Sequence, residues 1–376
     1  MAEARRRVVL LADRITNSDQ AGMIRSFADR LAEHGFLARV LCATWGDVPR
    51  DGLRVDEYPG LADRWRSPWT VRALVADEPA SRPALLHVLQ GRMAPAGLEL
   101  AERWGVPYLQ GVEEFLEPGA RLRLSRRWCR GIVAATRELA DDLIRQCGVP
   151  ASRISVIQRG LPIPAPRPQA ARVSGGIASP GGSVAVIGAA GPLVHGSGFT
   201  TFLNAARRVL DAGIDAEFVV VGQGEEEGEL RRRADRLRIV ERLTFAGDAA
   251  VRLSFWDVLD LYCQPSNVAT VGRNLARAMT HGLPAIASDI MGLRALIVHG
   301  QTGFRVPPGD SHALARSILD VLADREFARR LGHQGRDSVL RDYDLGGEAS
   351  SLAGLYRAIL DDESPAATLP IASGRG

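Results

Sequence analysis

The chain contains no lysine, and all 47 of its Lys and Arg residues are Arg. Any anion site must therefore use guanidinium groups or backbone N–H groups, because no flexible ammonium group is present. Cysteine is also scarce. The four Cys residues form no C-x-x-C pair, which argues against a zinc site or a disulfide framework and predicts a reducing compartment. They are Cys42, Cys129, Cys147 and Cys263.

Long apolar runs are absent as well. The first apolar stretch, residues 7–12, ends at Asp13, which is too short for the core of a signal peptide and predicts a buried strand. No other run approaches the ~20 residues of a membrane helix. We therefore expect a cytoplasmic protein, with any membrane contact peripheral and on the inner face. The net charge of +3 does not by itself indicate nucleic acid, and no nucleic-acid partner is predicted.

The chain is rich in short apolar runs that alternate with amphipathic helical patterns, which predicts parallel sheets covered by helices. A length of 376 residues suits two domains. A Pro-, Gly-, Ser- and Ala-rich stretch without periodicity, residues 166–182, predicts a linker. The predicted organisation is an N-terminal domain over residues 1–165, a C-terminal domain over 183–345, a helix over 346–364 that crosses back to the first domain, and a disordered tail over 365–376.

The most informative stretch is residues 265–310, PSNVATVGRNLARAMTHGLPAIASDIMGLRALIVHGQTGFRVPPGD. It follows GAAGPLVHGSGFTTFLNAARRVL, VVVGQGEEEGELRRRADRL and DLYCQPS in that order. Together these segments resemble the donor half of retaining, two-domain (GT-B) glycosyltransferases of family 4. The resemblance implies two Rossmann-like α/β domains facing across a cleft, with a C-terminal helix bridging back. It also implies transfer of a sugar from a nucleotide-sugar donor to a glycan or lipid-linked acceptor, with retention and without a metal or other cofactor.

Several side chains that this family uses to hold the donor are replaced here. The two Glu positions that orient the sugar and bind the ribose correspond to Ala269 and Arg277, and the diphosphate-binding Arg and Lys correspond to Pro192 and Ser197. Losing one well-placed donor at a developing charge costs ~3 kcal/mol. Two alternatives follow: an active glycosyltransferase with a rebuilt donor site, or a non-catalytic relative that acts as a partner of an active glycosyltransferase.

For the rebuilt site, Arg273 and Arg277 lie four residues apart on one predicted helix face. We predict an anion site formed by these two guanidinium groups, the Gly-rich loop of residues 191–198 and the helix N-terminus that follows this loop. The alternative is that both Arg residues are solvated, or that Arg277 pairs with a neighbouring carboxylate. The predicted nucleotide- and donor-binding residues are Gly191, Ser197, Gly198, Gly222, Ser266, Ala269, Gly272, Arg273 and Arg277.

On the acceptor side, His87 and Glu113 lie at the ends of predicted strands, where ligands bind in open α/β sheets. The resemblance places Glu113 at the position of an acceptor-side His of the family. These two residues are the candidate catalytic groups. For Glu113 the alternative is a carboxylate solvated at the mouth of the cleft.

A basic segment, RLRLSRRWCR (residues 121–130), predicts a second surface. On a helix it would place its Arg residues on one face and Leu124 and Trp128 on another, the pattern of a helix on an anionic membrane. The segment DRWRSPWTVRAL (residues 63–74) favours the same partner. The alternative is a solvated basic face with Trp128 packed inward. The predicted membrane-facing residues are Arg121, Arg123, Arg126, Arg127, Trp128 and Arg130.

Overall fold

The computed structural model describes residues 5–15, 18–63, 65–77, 82–117, 119–161, 184–247, 255–343 and 345–361. The predicted linker over 166–182 and the predicted tail over 365–376 lie outside the described residues. The chain divides into two compact units, residues 1–162 with 343–376 and residues 163–342.

The first unit contains a parallel sheet of seven strands. They are β1 (Arg6–Ile15), β2 (Phe36–Trp45), β3 (Val55–Glu57), β4 (Leu85–Val88), β5 (Tyr108–Val112), β6 (Cys129–Ala134) and β7 (Ile154–Val156). Their spatial order is β3-β2-β1-β4-β5-β6-β7, and every neighbouring pair is parallel. The order reverses between β1 and β4, which is where open α/β sheets bind ligands.

Helices cover both faces of this sheet. They are α1 (Ser18–Glu33), α2 (Ser67–Asp77), α3 (Ala94–Trp104), α4 (Arg137–Cys147) and the C-terminal α11 (Leu345–Leu360). Because successive side chains of a strand point to opposite faces, Val8 and Leu10 of β1 enter the core shared with α1 and α11. Val9 and Leu11 enter the core shared with α2 and α3. The chain therefore returns to its first unit at α11.

The second unit repeats this design. Its strands are β8 (Ala185–Ala190), β9 (Ala216–Val221), β10 (Leu243–Phe245), β11 (Leu261–Gln264), β12 (Ala285–Ser288) and β13 (Phe304–Val306). They are parallel in the order β10-β9-β8-β11-β12-β13. Its helices are α5 (Phe199–Asp211), α6 (Glu227–Arg236), α7 (Phe255–Val258), α8 (Arg273–Thr280), α9 (Ser311–Ala323) and α10 (Arg325–Asp342).

Local sequence signals set several helix ends. Thr136 caps α4, where its side chain accepts a hydrogen bond from Leu139 N, and Gly148 ends that helix in the left-handed conformation at φ 65°. Asp310 caps α9, where its carboxylate accepts hydrogen bonds of 2.9 Å from the N–H groups of His312 and Ala313. These bonds satisfy N–H groups that have no partner inside the helix.

The prediction of two Rossmann-like domains with parallel sheets is confirmed. The edge strands β3 (VDE) and β13 (FRV) were not predicted, because each contains charged residues and shows no apolar run. No helix within the described ranges combines the length and apolarity needed to cross a bilayer.

The interpretation of residues 121–130 as an amphipathic helix is wrong. Residues 121–125 have no regular secondary structure, residues 126–128 form a turn, and β6 begins at Cys129. Tertiary contacts override the helical pattern, since Ser125 N donates to the Tyr108 hydroxyl at 3.1 Å and Trp128 N donates to Ser125 Oγ at 3.3 Å. The Arg127 guanidinium stacks on the Trp128 ring, 4.8 Å from its centroid. The Arg residues therefore do not form one helical face.

Candidate functional site

Three loops meet at the carboxyl edge of the second sheet, where the strand order reverses between β8 and β11. They follow β8 (residues 191–198), β9 (residues 222–224) and β11 (residues 265–272). Backbone hydrogen bonds join them: Leu193 N donates to Gln223 O at 2.9 Å, and Asn267 N donates to Gly196 O at 2.7 Å. The three loops therefore form one structural unit at the position where this kind of sheet binds ligands.

Glycine is required where these loops touch. Gly198 has a φ of 80°, and a Cβ atom there would lie 1.7 Å from Pro265 O. A Cβ atom on Gly222 would lie 1.8 Å from Gly191 O. Both distances are far inside van der Waals contact, so only glycine lets the backbones approach this closely. The glycine pattern of the sequence therefore marks backbone packing around the site.

Two helices point their N-termini at these loops. Helix α5 begins after Gly198 and helix α8 after Gly272, and both cap residues are left-handed, at φ 80° and 76°, with no side-chain cap. The Asn274 side-chain amide donates to Ala190 O at 3.0 Å, which ties the start of α8 to the end of β8. The first N–H groups of a helix lack intrahelical partners and carry a partial positive charge. This arrangement suits an anionic ligand such as a phosphate.

A buried polar network supports the loop after β11. The Tyr262 hydroxyl lies 3.2 Å from Ala190 O and 2.6 Å from Gln264 Oε1, and Gln264 Nε2 donates to Ser266 Oγ at 3.0 Å. All three side chains are buried, and burial raises the pKa of Tyr262, so the hydroxyl stays protonated. The network holds Ser266 in one orientation at the entrance to the loop.

The structure brings most of the predicted donor-site residues together in or beside these loops. They are Gly191, Ser197, Gly198, Gly222, Ser266, Ala269, Gly272 and Arg273. Arg277 lies one turn further along α8, and its guanidinium carbon is 5.6 Å from the ring centroid of the buried Trp256. Trp256 belongs to α7, which precedes β11, so this stacking directs Arg277 towards the amino edge of the sheet. The sequence pattern did not anticipate this difference between Arg273 and Arg277.

At the carboxyl edge of the first sheet, a charged cluster surrounds Glu113. Glu113 follows β5 and forms an ion pair with Arg159, which follows β7. Arg159 Nε also lies 3.7 Å from Glu348 Oε1 of α11, and Glu348 Oε2 accepts a hydrogen bond of 2.9 Å from Gly160 N. Glu113 therefore does not stand alone in solvent, because a guanidinium group fixes its carboxylate.

His87 occupies the buried side of the same cluster. Its ring Nδ1 lies 2.6 Å from the Tyr356 hydroxyl of α11, and the residue is 3% exposed. Burial, and secondarily the charge of Arg159, lowers the pKa of His87 to about 3. The ring is therefore neutral near pH 7. Its bond to Tyr356 joins the end of β4 to the C-terminal helix.

Sequence reasoning missed the partners of both candidate sites. Arg159, Glu348 and Tyr356 surround His87 and Glu113, but they come from segments that show no motif. Asn274 was missed because it lies within the helical pattern of α8. A charged residue on the buried face of an amphipathic helix, such as Glu348, was the one available signal.

Comparisons with known proteins agree with this architecture. Residues 21–163 match the model of "Glycosyltransferase Family 4", and residues 184–324 match that of "Glycosyl transferases group 1". The structure of Alr3699/HepE from Anabaena in complex with UDP and glucose aligns with a TM-score of 0.74, at 17% identity, over 92% of this chain and 98% of that chain. The class of fold is therefore GT-B. Within that class, the first unit resembles the family 4 model and the second unit resembles the group 1 model.

Two bacterial relatives show the range of sequence similarity. The phosphatidyl-myo-inositol mannosyltransferase of Mycobacterium leprae is 33% identical over 43% of this chain and 43% of its own length. The 2-deoxystreptamine N-acetyl-D-glucosaminyltransferase of Streptomyces fradiae is 27% identical over 83% of this chain and 86% of its own length. The chain spans less than half the length of several of the curated relatives that it matches, at 43%, 39% and 44%.

No three His, Cys, Asp or Glu side chains in the described part of the chain are placed to share a metal ion.

Proposed function

We propose that this chain is an active glycosyltransferase that moves a sugar from a nucleotide-sugar donor to a glycan or lipid-linked acceptor. By resemblance to its family, transfer occurs with retention and without a metal ion. The second unit binds the donor, the first unit binds the acceptor, and the protein works in the cytoplasm.

The observation that carries this proposal is the junction of the three loops at the carboxyl edge of the second sheet. The N-termini of α5 and α8 lie at this junction, and the loop backbones pack closely against one another at Gly198 and Gly222. A rigid cradle of N–H groups can bind a diphosphate even where the family's cationic side chains are replaced. The UDP and glucose bound by the Anabaena neighbour make UDP and UDP-sugars the first ligands to test.

Within this site we assign the main cationic contact with the diphosphate to Arg273. It is the first residue of α8, next to Asn274, whose side chain is bonded to the end of β8. Arg277 is stacked on Trp256, and turning towards a phosphate would cost it this cation–π contact. Both guanidinium groups belong to the predicted anion site, but Arg273 should contribute more.

On the acceptor side, Glu113 is the candidate that fits. Its carboxylate sits at the carboxyl edge of the first sheet and is oriented by Arg159, so it can accept a hydrogen bond from an acceptor hydroxyl. His87 is buried against Tyr356. We therefore assign it to positioning the helix that carries Glu348, and not to proton transfer.

Calorimetric titration of the full chain with UDP, GDP, ADP and their common sugar conjugates at low salt tests the proposal. We expect micromolar binding of one nucleotide. Arg273→Ala should weaken it by roughly tenfold or more, since a charge-assisted bond is worth about 1.5–3 kcal/mol. Arg277→Ala should weaken it less. Arg208→Ala is the matched control, because Arg208 is exposed in the last turn of α5, far along that helix from its N-terminus.

A nucleotide that binds should then be tested for sugar transfer. Failure of every nucleotide to bind at millimolar concentration would contradict the proposal. It would favour the second candidate, a non-catalytic partner of an active glycosyltransferase, for which the motivating observation is the set of substituted positions Ala269, Arg277, Pro192 and Ser197. Nucleotide binding without sugar transfer would support the same alternative.

A further inference from the structure

A cavity of about 190 Å³ lies at the amino edge of the first sheet. Its walls come from the segment before β6, from β6 itself, from the end of α4 and from the segment before β7. Because β6 and β7 are parallel, their amino ends lie at one edge, opposite the edge that carries Glu113 and Arg159. The cavity is therefore separate from the candidate acceptor cluster, and its lining residues all belong to the first unit.

The wall of this cavity is largely hydrocarbon. Five of the nine described residues that line it have purely hydrocarbon side chains, so the body of a ligand must be apolar to fill it. They are Leu122, Leu124, Ile132, Val149 and Pro150. An apolar cavity of about 150 Å³ takes up benzene. The volume here therefore suits a single ring with one small substituent.

Two cysteine thiols also line the cavity. Cys129 Sγ donates to Gly131 O at 3.5 Å, and Cys147 Sγ donates to Ala120 O at 3.7 Å. Burial raises the pKa of Cys129, so this thiol stays protonated near pH 7. A protonated thiol behaves as a small apolar group. Cys129 therefore extends the apolar wall and adds no negative charge that would repel an anion.

A single cation faces this apolar space. Of the described residues that line the cavity, Arg153 alone carries a charge, and it is half-buried. Its Nη2 donates to Cys129 O, and no Asp or Glu in the described part of the chain forms an ion pair with it. A guanidinium group has five N–H donors and binds a carboxylate through two parallel hydrogen bonds. Arg153 therefore has donors to offer to an anionic ligand.

We propose that this cavity binds a small organic monocarboxylate with an apolar body, of which benzoate is the simplest aromatic case. The ring packs against Leu122, Leu124 and Ile132, and the carboxylate pairs with Arg153. One cation balances one negative charge, so a monoanion fits better than a nucleotide or another polyanion. The proposal does not depend on sugar transfer, and it can be tested whether or not the second unit binds a nucleotide.

Cys147 provides a readout that is specific to this cavity. Cys42, Cys129 and Cys263 are buried, whereas Cys147 is half-buried, so N-ethylmaleimide should label Cys147 first. The test is the rate of this labelling in the full chain, followed by mass spectrometry at increasing benzoate concentration. Benzoate should slow the labelling, with half-protection on the order of 1 mM for a ligand of about nine non-hydrogen atoms.

Variants of the wall separate the two parts of the proposed contact. Arg153→Met should raise the half-protection concentration by about tenfold or more, because it removes the charge-assisted bonds to the carboxylate. Leu124→Trp, at a half-buried position, should fill the space and abolish any further effect of benzoate. Circular dichroism of each variant shows that it is folded, and each is compared with and without benzoate, so changes in intrinsic thiol reactivity cancel.

Matched controls use the same wall and the same ligand shape. Arg123 lies between Leu122 and Leu124, but its side chain is exposed, so Arg123→Met should keep the protection seen in the wild type. Benzamide has nearly the same shape without the charge and should protect roughly tenfold less well. Acetate has the charge without the ring and should not protect at millimolar concentration.

Several results would overturn the proposal. These are a labelling rate that benzoate does not change at tens of millimolar, protection of Arg153→Met equal to that of the wild type, or an equal loss of protection in Arg123→Met. Equal protection by benzamide would refute the pairing of a carboxylate with Arg153. Protection by UDP would place the nucleotide in this cavity and also contradict the assignment. Failure of every nucleotide to bind would leave the benzoate result unaffected.

Discussion

The buried His87 should make the first unit sensitive to acid. In the folded chain its pKa is about 3, against an ordinary value of 6.5. Below pH 6.5 the unfolded chain therefore binds a proton that the folded chain does not accept. The contribution of the neutral His87 ring to the free energy of unfolding is complete above pH 6.5 and is lost progressively as the pH falls towards 3.

The expected size follows from these two pKa values. The free energy of unfolding falls by up to about 1.4 kcal/mol for each pH unit in this window. At about pH 5 the loss due to this histidine should reach ~2 kcal/mol. Such a loss is a substantial part of the 5–15 kcal/mol of stability that is typical of folded domains.

Urea unfolding at about pH 7.5 and about pH 5, followed by Trp fluorescence, measures this loss. Of the six Trp residues only Trp256 lies in the second unit, so the signal reports mainly the first unit. His87→Gln keeps a polar group beside the Tyr356 hydroxyl and removes the titrating ring, so it should reduce the difference between the two pH values by ~2 kcal/mol. His333→Gln, at an exposed position of α10, is the control.

The reasoning would be refuted if His87→Gln kept the full pH dependence of the wild type. It would also be refuted if the wild type lost no stability between the two pH values. A similar effect of His333→Gln would show that the acid sensitivity does not come from the buried ring.

Three further substitutions test other parts of the structure, each by urea unfolding followed by circular dichroism. Gly198→Ala should lower the free energy of unfolding by more than ~3 kcal/mol. Gly213 has nearly the same φ of 79° but no atom within 4 Å of an added Cβ, so Gly213→Ala should lower it only by the ~1–2 kcal/mol of backbone strain. Equal losses for the two variants would contradict the steric clash at Gly198. Arg159→Met should lower the free energy of unfolding by ~3–5 kcal/mol, because it removes the counter-charge of the buried Glu348 carboxylate and of the largely buried Glu113 carboxylate. Adding Glu113→Gln should recover part of that loss. Asp310→Ala should cost ~1 kcal/mol while Asp310→Asn keeps the cap of α9, and a silent alanine variant would show that the cap contributes nothing.

The glycine-rich loops show how far sequence reasoning reached in the candidate site. The family resemblance predicted that Gly198, Gly222 and Gly272 lie in a nucleotide site, and only glycine permits the close backbone approach that the structure shows at Gly198 and Gly222. The atoms that make glycine necessary, such as Pro265 O opposite Gly198, come from another loop. The pattern of glycines along the chain does not show how close Pro265 O lies to Gly198.

The contacts of charged side chains were harder to predict from the sequence. Arg273 and Arg277 share a helical spacing, and that spacing predicted one anion site for both. The structure stacks Arg277 on Trp256, a residue that the strand order brings beneath α8. Likewise, residues 121–130 have a helical charge pattern, but contacts with Tyr108 and the sheet override it.

The sequence by itself determined the two parallel-sheet units, several of their helix ends and the glycine-rich loops at the carboxyl edge of the second sheet. These features depend on hydrophobic periodicity, on caps and on backbone conformations, which neighbouring residues specify. Only the tertiary structure decided what surrounds His87 and Glu113 and which side chains remain in solvent. His87 meets Tyr356 across 269 residues, and Glu348 meets Gly160 across 188. Burial and charge pairing depend on which segments the fold brings together, and the local sequence does not predict contacts between segments so far apart in the chain.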